Sequence, residues 1–129
     1  RAAFKGFDPA AVARFNDASV ERLMGLSSVV RNRLKIKSAI KNARVVRSIA
    51  DERGSFDAYA WSFVGGRPKR NTWKTMGDIP AQTTEAQALS KDLMARGATF
   101  VGPTISYAFM QATGLVNDHL VSCFRYRQV

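Results

Sequence analysis

His119 and Cys123 are the only histidine and the only cysteine in the 129 residues, and they stand four positions apart in "NDHLVSCF". At helical spacing, positions i and i+4 share a face, and that separation suits two ligands of one zinc ion. A closed zinc site takes about four ligands, so two would have to come from elsewhere. The competing reading is a capped histidine beside a buried thiol. Asp118, one residue before the pair, reads as an N-cap candidate for the last short helix. A single cysteine excludes an intrachain disulfide and suits a reducing compartment.

A second candidate is the uncharged corner "GATFVGPT", residues 97–104. It lies between two helical patterns, which predicts a helix–hairpin–helix over about residues 85–114. The second helix would start at Pro103, where the first backbone N–H groups lack intrahelical partners and the helix dipole adds partial positive charge. A DNA phosphate fits such an end, with Gly97, Thr99, Gly102 and Thr104 as the contacting residues and the glycines allowing close approach. Phe100 and Val101 are expected to turn inward and hold the turn. The plainer alternative is an ordinary connection whose glycines only cap helices.

The charge balance favours an anionic partner. The chain has 20 Lys and Arg against 10 Asp and Glu, a formal charge of +10. Such an excess points to nucleic acid first, and less to a membrane surface or an acidic protein. From Arg22 to Ala50 there is no acid, and Arg33, Lys37, Lys41 and Arg44 fall on one arc of a helix. Ile36, Ala39, Ile40, Ala43, Val46 and Ala50 form the adjoining apolar arc. More cations, Arg67, Lys69, Arg70 and Lys74, surround Trp73 in a loop-like span from Gly65 to Thr83. No apolar run approaches the roughly 18 residues of a membrane span, and no signal peptide is visible.

These groups need positioning elements, and the punctuation reads as helices throughout. Asp8 with Pro9 opens one. Asp17 caps a second that stops at Gly25. The long basic helix runs from Asn32 to about Ala50. A short one lies between Ser55 and Gly65–Gly66. Thr84 and Gln87 form a capping box for the next, which ends at Gly97. The helix from Pro103 to Gly114 is apolar around most of its wheel, which predicts a buried central helix. A short helix over "NDHLVSCF" closes the chain. No strand and no repeat is visible. The predicted fold is all-α, one domain over residues 1–129.

The run "FVGPTISYAFMQATGLVNDHLVSC" resembles the C-terminal part of the DNA-3-methyladenine glycosylase I family. "GLSSVVRNRLKIKSAIKNAR" and "YAWSFV" match further family segments in order. The family belongs to the helix–hairpin–helix glycosylase superfamily and hydrolyses the N-glycosidic bond of 3-methyladenine in alkylated DNA. The resemblance implies that His119 and Cys123 ligate a structural zinc and that double-stranded DNA carrying alkylated bases is the partner. It implies a bacterial cytoplasmic, nucleoid-associated protein with no obligate protein partner. Trp61 and Tyr107 become candidates for the base pocket, with core packing as the alternative. Family members carry a segment before the position of Arg1 that holds the other zinc ligands and the pocket Glu. The chain is thus expected to be truncated at its N-terminus and inactive alone, with Asp118 the one catalytic candidate left. Other readings are a non-enzymatic helix–hairpin–helix DNA-binding module and a small basic RNA-binding protein.

Overall fold

Helix α1, Pro9–Ala13, begins where Asp8 accepts a hydrogen bond from the Ala10 N–H at 2.9 Å, with Pro9 at its first position. The structure is a computed structural model that describes residues 1–129. Helix α2, Asp17–Met24, is capped one residue earlier than the sequence suggests. Asn16, not Asp17, is the N-cap: its Oδ1 accepts from the Ser19 N–H at 3.0 Å, and Ser19 Oγ accepts from the Asn16 N–H at 3.4 Å. The reciprocal pair closes only in that register. Helix α3, Arg33–Arg53, starts from Asn32, whose side chain accepts from the Lys35 N–H.

The residues group into two compact units. The first comprises residues 1–56 and 93–100. Its core joins Val12 and Phe15 to Val20 and Leu23 of α2 and to Ile36, Ile40 and Ala43 of α3. Burying Leu23 completely stabilises this unit by about 1.5–3 kcal/mol. The apolar arc predicted for α3 is partly displaced. Ala39, Val46 and Ala50 are only half-buried, whereas Ser38, Val45 and Ile49 are buried. Ile36, Ile40 and Ala43 form one stripe, and Ser38, Val45 and Ile49 form a second at helical spacing. The second stripe also carries Asn42, and Ser38 and Asn42 bond to Thr99.

The second unit comprises residues 57–92 and 101–129. Helix α4 is Phe56–Ser62, and Gly66 N–H closes its end on the Trp61 carbonyl at 2.9 Å. Strand β1, Lys69–Arg70, pairs in parallel with β2, Val116–Asn117, in the register Lys69 to Val116 and Arg70 to Asn117. No strand is predicted from the sequence. Two residues are too few for a period-2 pattern, and the pairing is a long-range event. The rest of the span from Gly65 to Thr83 is loop around a 3-10 turn at Met76–Asp78, fastened by a Lys69–Glu85 ion pair and by Asp78, which accepts from the Thr75 N–H at 2.8 Å.

Helix α5 is Thr84–Ala95, and its cap is Thr83, whose Oγ1 accepts from the Ala86 N–H; the expected Thr84–Gln87 box is not formed. Helix α6, Pro103–Thr113, runs from Gly102 to a left-handed Gly114. It is not the buried central helix its composition suggests. Only Ser106, Tyr107 and Met110 are buried, while Thr104, Ile105, Ala108 and Ala112 are exposed. Hydropathy reports that a face can be buried, not that a partner is there to bury it. The expected last helix is absent too. After β2 the chain makes turns and then a 3-10 turn at Phe124–Arg127.

Candidate functional site

Asp118 follows directly on β2, at the point where the second unit's elements converge. Its Oδ1 accepts from Asn71 Nδ2 at 2.7 Å and from Trp73 Nε1 at 2.8 Å. Its Oδ2 accepts from Gln111 Nε2 at 2.8 Å and from the Tyr107 hydroxyl. Burial alone pushes this carboxyl's pKa up. The four hydrogen bonds, with Tyr107 the strongest, outweigh burial and hold it below the ordinary value. Burial first, and then the carboxylate it faces, push the Tyr107 hydroxyl above its usual range, so it remains a donor. An ionised carboxylate has about four lone-pair positions, and four donors occupy them. The N-cap reading of Asp118 fails because no helix follows it. What the residue does is tie the 65–83 loop, through Asn71 and Trp73, to α6, through Tyr107 and Gln111.

His119 and Cys123 meet without a helix between them. The turns after Asp118 bring His119 Nδ1 to 3.8 Å from Cys123 Sγ. Two such atoms on one tetrahedral zinc stand about 3.6 Å apart, so the pair has the bite of two zinc ligands. No third His, Cys, Asp or Glu joins them. Beside them is an open cavity of about 390 Å³, bordered by Pro68, Ile79, Gln111, Asp118, His119 and Val129. Asn117 holds its rim, donating to the carbonyls of Tyr126 at 2.9 Å and Val129 at 3.0 Å.

Neither Trp61 nor Tyr107 borders that cavity. Tyr107 is fully buried, with its hydroxyl committed to Asp118. Trp61 donates its indole N–H to Asp57, one turn back on α4, at 3.0 Å.

The first unit contributes the turn after α5. Gly97, at φ +94°, and Ala98 close the helix: the Gly97 N–H bonds the Met94 carbonyl and the Ala98 N–H bonds the Leu93 carbonyl, both at 2.9 Å. That double bond pattern is a Schellman motif, which favours glycine at the left-handed position. Thr99 is braced on α3. Its N–H donates to Asn42 Oδ1 at 2.9 Å, its hydroxyl donates to Ser38 Oγ at 2.8 Å, and its carbonyl accepts from both residues. Phe100 does not turn inward. It is 55% exposed, at φ +56°.

The basic stripe on α3 divides into two kinds of residue. Arg33 forms a two-pronged ion pair with Glu21. Arg44 donates to the carbonyls of Ala13 at 3.0 Å and Phe15 at 3.1 Å, closing the end of α1. Those two guanidinium groups are occupied by the fold. Lys37 stands 3.8 Å from Asp17, and Lys41 extends its ammonium toward Gly97. Lys37, Lys41 and Arg44 border an open cavity of about 520 Å³ with Phe15, Asn16 and Asp17.

In the second unit, α6 opens at Gly102 with no side-chain cap. A Cβ at Gly102 would meet nothing within 4 Å. Thr104 sits exposed at the second helical position.

Comparison with known proteins decides what these features belong to. The methyladenine glycosylase family pattern matches residues 1–126.

The chain belongs to the methyladenine glycosylase family.

DNA-3-methyladenine glycosylase 1 of Escherichia coli is 44% identical over 126 residues, which cover 98% of this chain and 67% of the relative. The DNA-3-methyladenine glycosylase of Haemophilus influenzae is 37% identical over 123 residues, covering 95% and 66%. The structure of 3-methyladenine DNA glycosylase I from Staphylococcus aureus superposes with a TM-score of 0.90 at 34% identity, covering 95% of this chain and 65% of that one. The chain thus spans about two thirds of the length of these glycosylases.

Within this chain, sequence reasoning missed Asn71, Trp73 and Gln111 around Asp118, and Ser38 and Asn42 under Thr99. One signal was available for the second pair. Ser38 and Asn42 are polar and stand at i and i+4, and Ser38 falls on the same stripe as Val45 and Ile49. A polar pair on a burying stripe needs partners. The Asp118 hub carries no comparable signal, because its donors are scattered from residue 71 to residue 111.

Proposed function

We propose that this chain is the DNA-holding body of a glycosylase that removes 3-methyladenine from alkylated double-stranded DNA by hydrolysing its N-glycosidic bond. Family membership and the names of the relatives support the reaction class. The observation that carries the DNA-holding role is the start of α6. No side chain caps it, no Cβ stands at Gly102, and the space in front is open. A backbone phosphate bound there would be held by main-chain N–H groups and favoured by the helix dipole. The Gly97–Phe100 turn precedes it in sequence, which supports the helix–hairpin–helix reading that the resemblance implies.

Enzymes that excise a base must first take it out of the stack. N3-methylated adenine is cationic and leaves readily, so the demands are a fitted pocket, a carboxylate near the developing sugar cation, and a firm hold on the backbone. Asp118 is poorly suited to that carboxylate role, since its oxygens already accept four hydrogen bonds. In this reading it positions the 65–83 loop against α6. The resemblance assigns the pocket Glu to a segment before the position of Arg1, so the 129-residue chain alone is expected to be inactive.

His119 and Cys123 would hold one side of a structural zinc, which would fasten the turns after β2 to the ligands supplied by that segment. Their 3.8 Å approach supports this.

The DNA-holding role is tested by Gly102→Glu in the full-length protein. Gly102 has φ −58° and open surroundings, so a side chain is tolerated by the fold. The expected result is weaker binding to duplex DNA by about tenfold or more with an unchanged thermal midpoint. Unchanged affinity would remove the α6 start from the DNA interface.

A further inference from the structure

The first unit carries an apolar groove at the opposite end of α3 from Glu52 and Arg53. It is an open cavity of about 430 Å³ walled by Phe4, Phe7, Val29, Val30 and Ile36. Ile36 belongs to the unit's core, and Phe4 and Val29 pack against that core. Phe7 and Val30 stand out from it, 60% and 79% exposed. Arg1 and Lys35 also border the groove, and no acid does.

The backbone holds Phe7 at the surface. Lys5, Gly6 and Phe7 follow one another at φ +50°, +72° and +67°. Positive φ is unfavourable for a bulky residue, and such strain persists only where the surroundings over-determine it. The turn delivers Asp8 to the start of α1, where it accepts from the Ala10 N–H. That task requires no phenyl ring at Phe7, and glycine would make the turn with less strain. The ring instead stacks on Phe4, with centroids 5.7 Å apart and planes 15° apart. Phe4 in turn lies 6.5 Å from the ring of Phe15, a core residue. Three rings therefore run from the core to the lip of the groove.

A contiguous apolar surface of this kind marks a docking site. DNA is a poor occupant, because protein–DNA interfaces are polar and cationic, and the walls here are mostly apolar. A second copy of the chain is disfavoured by like charge, since each carries +10. A segment joined to Arg1 meets neither objection. Arg1 borders the groove, so residues linked to it start at the groove's edge. A short tether of that kind gives an effective concentration of about millimolar order. The relatives are longer than this chain by about a third of their own length, which is ample to fill the groove.

We infer that this groove seats the segment that the resemblance places before the position of Arg1, with apolar side chains of that segment packing on Phe7 and Val30. The inference rests on the proposed reading that such a segment supplies the pocket carboxylate. It adds where the segment is anchored on the first unit, and it makes Phe7 and Val30 positioning residues for that carboxylate.

The test uses the full-length protein. Val30→Cys and Met76→Cys each place a thiol where the side chain is 79% or 72% exposed within residues 1–129. Under native conditions, with iodoacetamide labelling read peptide by peptide, Val30→Cys is expected to react more slowly than Met76→Cys by about tenfold or more. Val30→Glu would bury a charge in the occupied groove, so the thermal midpoint should fall by about 5 °C or more. Met76→Glu should leave it within about 1 °C.

Equal labelling of the two cysteines would overturn the inference, because the groove would then be open. Protection of Val30→Cys that disappears on dilution, together with a dimer in sedimentation, would make a second copy the occupant and overturn it as well. Protection that appears only when duplex DNA is added would do the same in favour of DNA. The DNA-holding role is read separately, from duplex affinity of the parent protein. If the parent binds DNA and the groove is open, this inference fails and the DNA-holding role stands. If Val30→Cys is protected and the parent binds no DNA, the seat stands and the DNA-holding role fails.

Discussion

At the scale of residues, neighbouring positions divide sharply between holding the fold and remaining free for a partner. Arg44 and Lys41 sit three positions apart on one helix, yet one guanidinium closes α1 and the other side chain reaches toward Gly97. Asp118 belongs to the first kind. Asp118→Asn leaves one carbonyl oxygen and turns an amide toward two of the four donors. Stability should fall by about 2–4 kcal/mol, read from the urea midpoint at constant m. A change within about 0.5 kcal/mol would mean that the four hydrogen bonds are replaced without loss by water.

At the scale of elements, the long helix α3 is tied to the end of α5 by charge as well as by the Thr99 brace. Arg96 donates to Glu52 at 2.6 Å and 3.2 Å, and Arg53 donates to the same carboxylate at 3.0 Å. The Arg96 hydrogen bond, then that of Arg53, lower the Glu52 pKa from 4.5 to about 2. The folded value lies below the unfolded one, so the contribution is present above about pH 4.5 and is lost as pH falls toward 2. The group is exposed and screened by salt. The difference in thermal midpoint between the parent and Glu52→Gln should therefore shrink between pH 6 and pH 2. It should shrink in 1 M NaCl as well. A difference that stays constant over both ranges would exclude the ion pair as its source.

The same scale shows how far the sequence alone is legible. Helices with strong local punctuation can be read: Asp8–Pro9, Asn32, Gly97, Pro103 and Gly114 all mark real boundaries. Asn16 and Thr83 displace the expected caps by one residue, because the better reciprocal or hydroxyl bond lies there. The last segment defeats sequence reading. His119 and Cys123 have helical spacing, but β2 draws the chain into a parallel pair and Asp118 is anchored by four distant donors. The pair still meets, so the spacing is informative although the helix expected to support it does not form. Phe100 is the reverse case. Its apolar character points inward, and the left-handed backbone beside the Thr99 brace turns it out.

At the scale of the whole molecule, the parts are unequal in kind. A helix start with no side-chain cap, a braced turn and a basic helix are present, together with a close His119–Cys123 pair. The carboxylate hub is saturated by its own fold. Such an inventory suits the DNA-holding role proposed above, and the chain spans about two thirds of the glycosylases it matches. The most direct measurement is release of free 3-methyladenine from alkylated duplex DNA, by the full-length protein and by residues 1–129 alone. The full-length protein should release the base, and the 129-residue chain should release little or none. Failure of the full-length protein to exceed the uncatalysed rate would contradict the glycosylase assignment of activity. Robust release by the chain alone would contradict the claim that it holds DNA for chemistry performed by residues outside it.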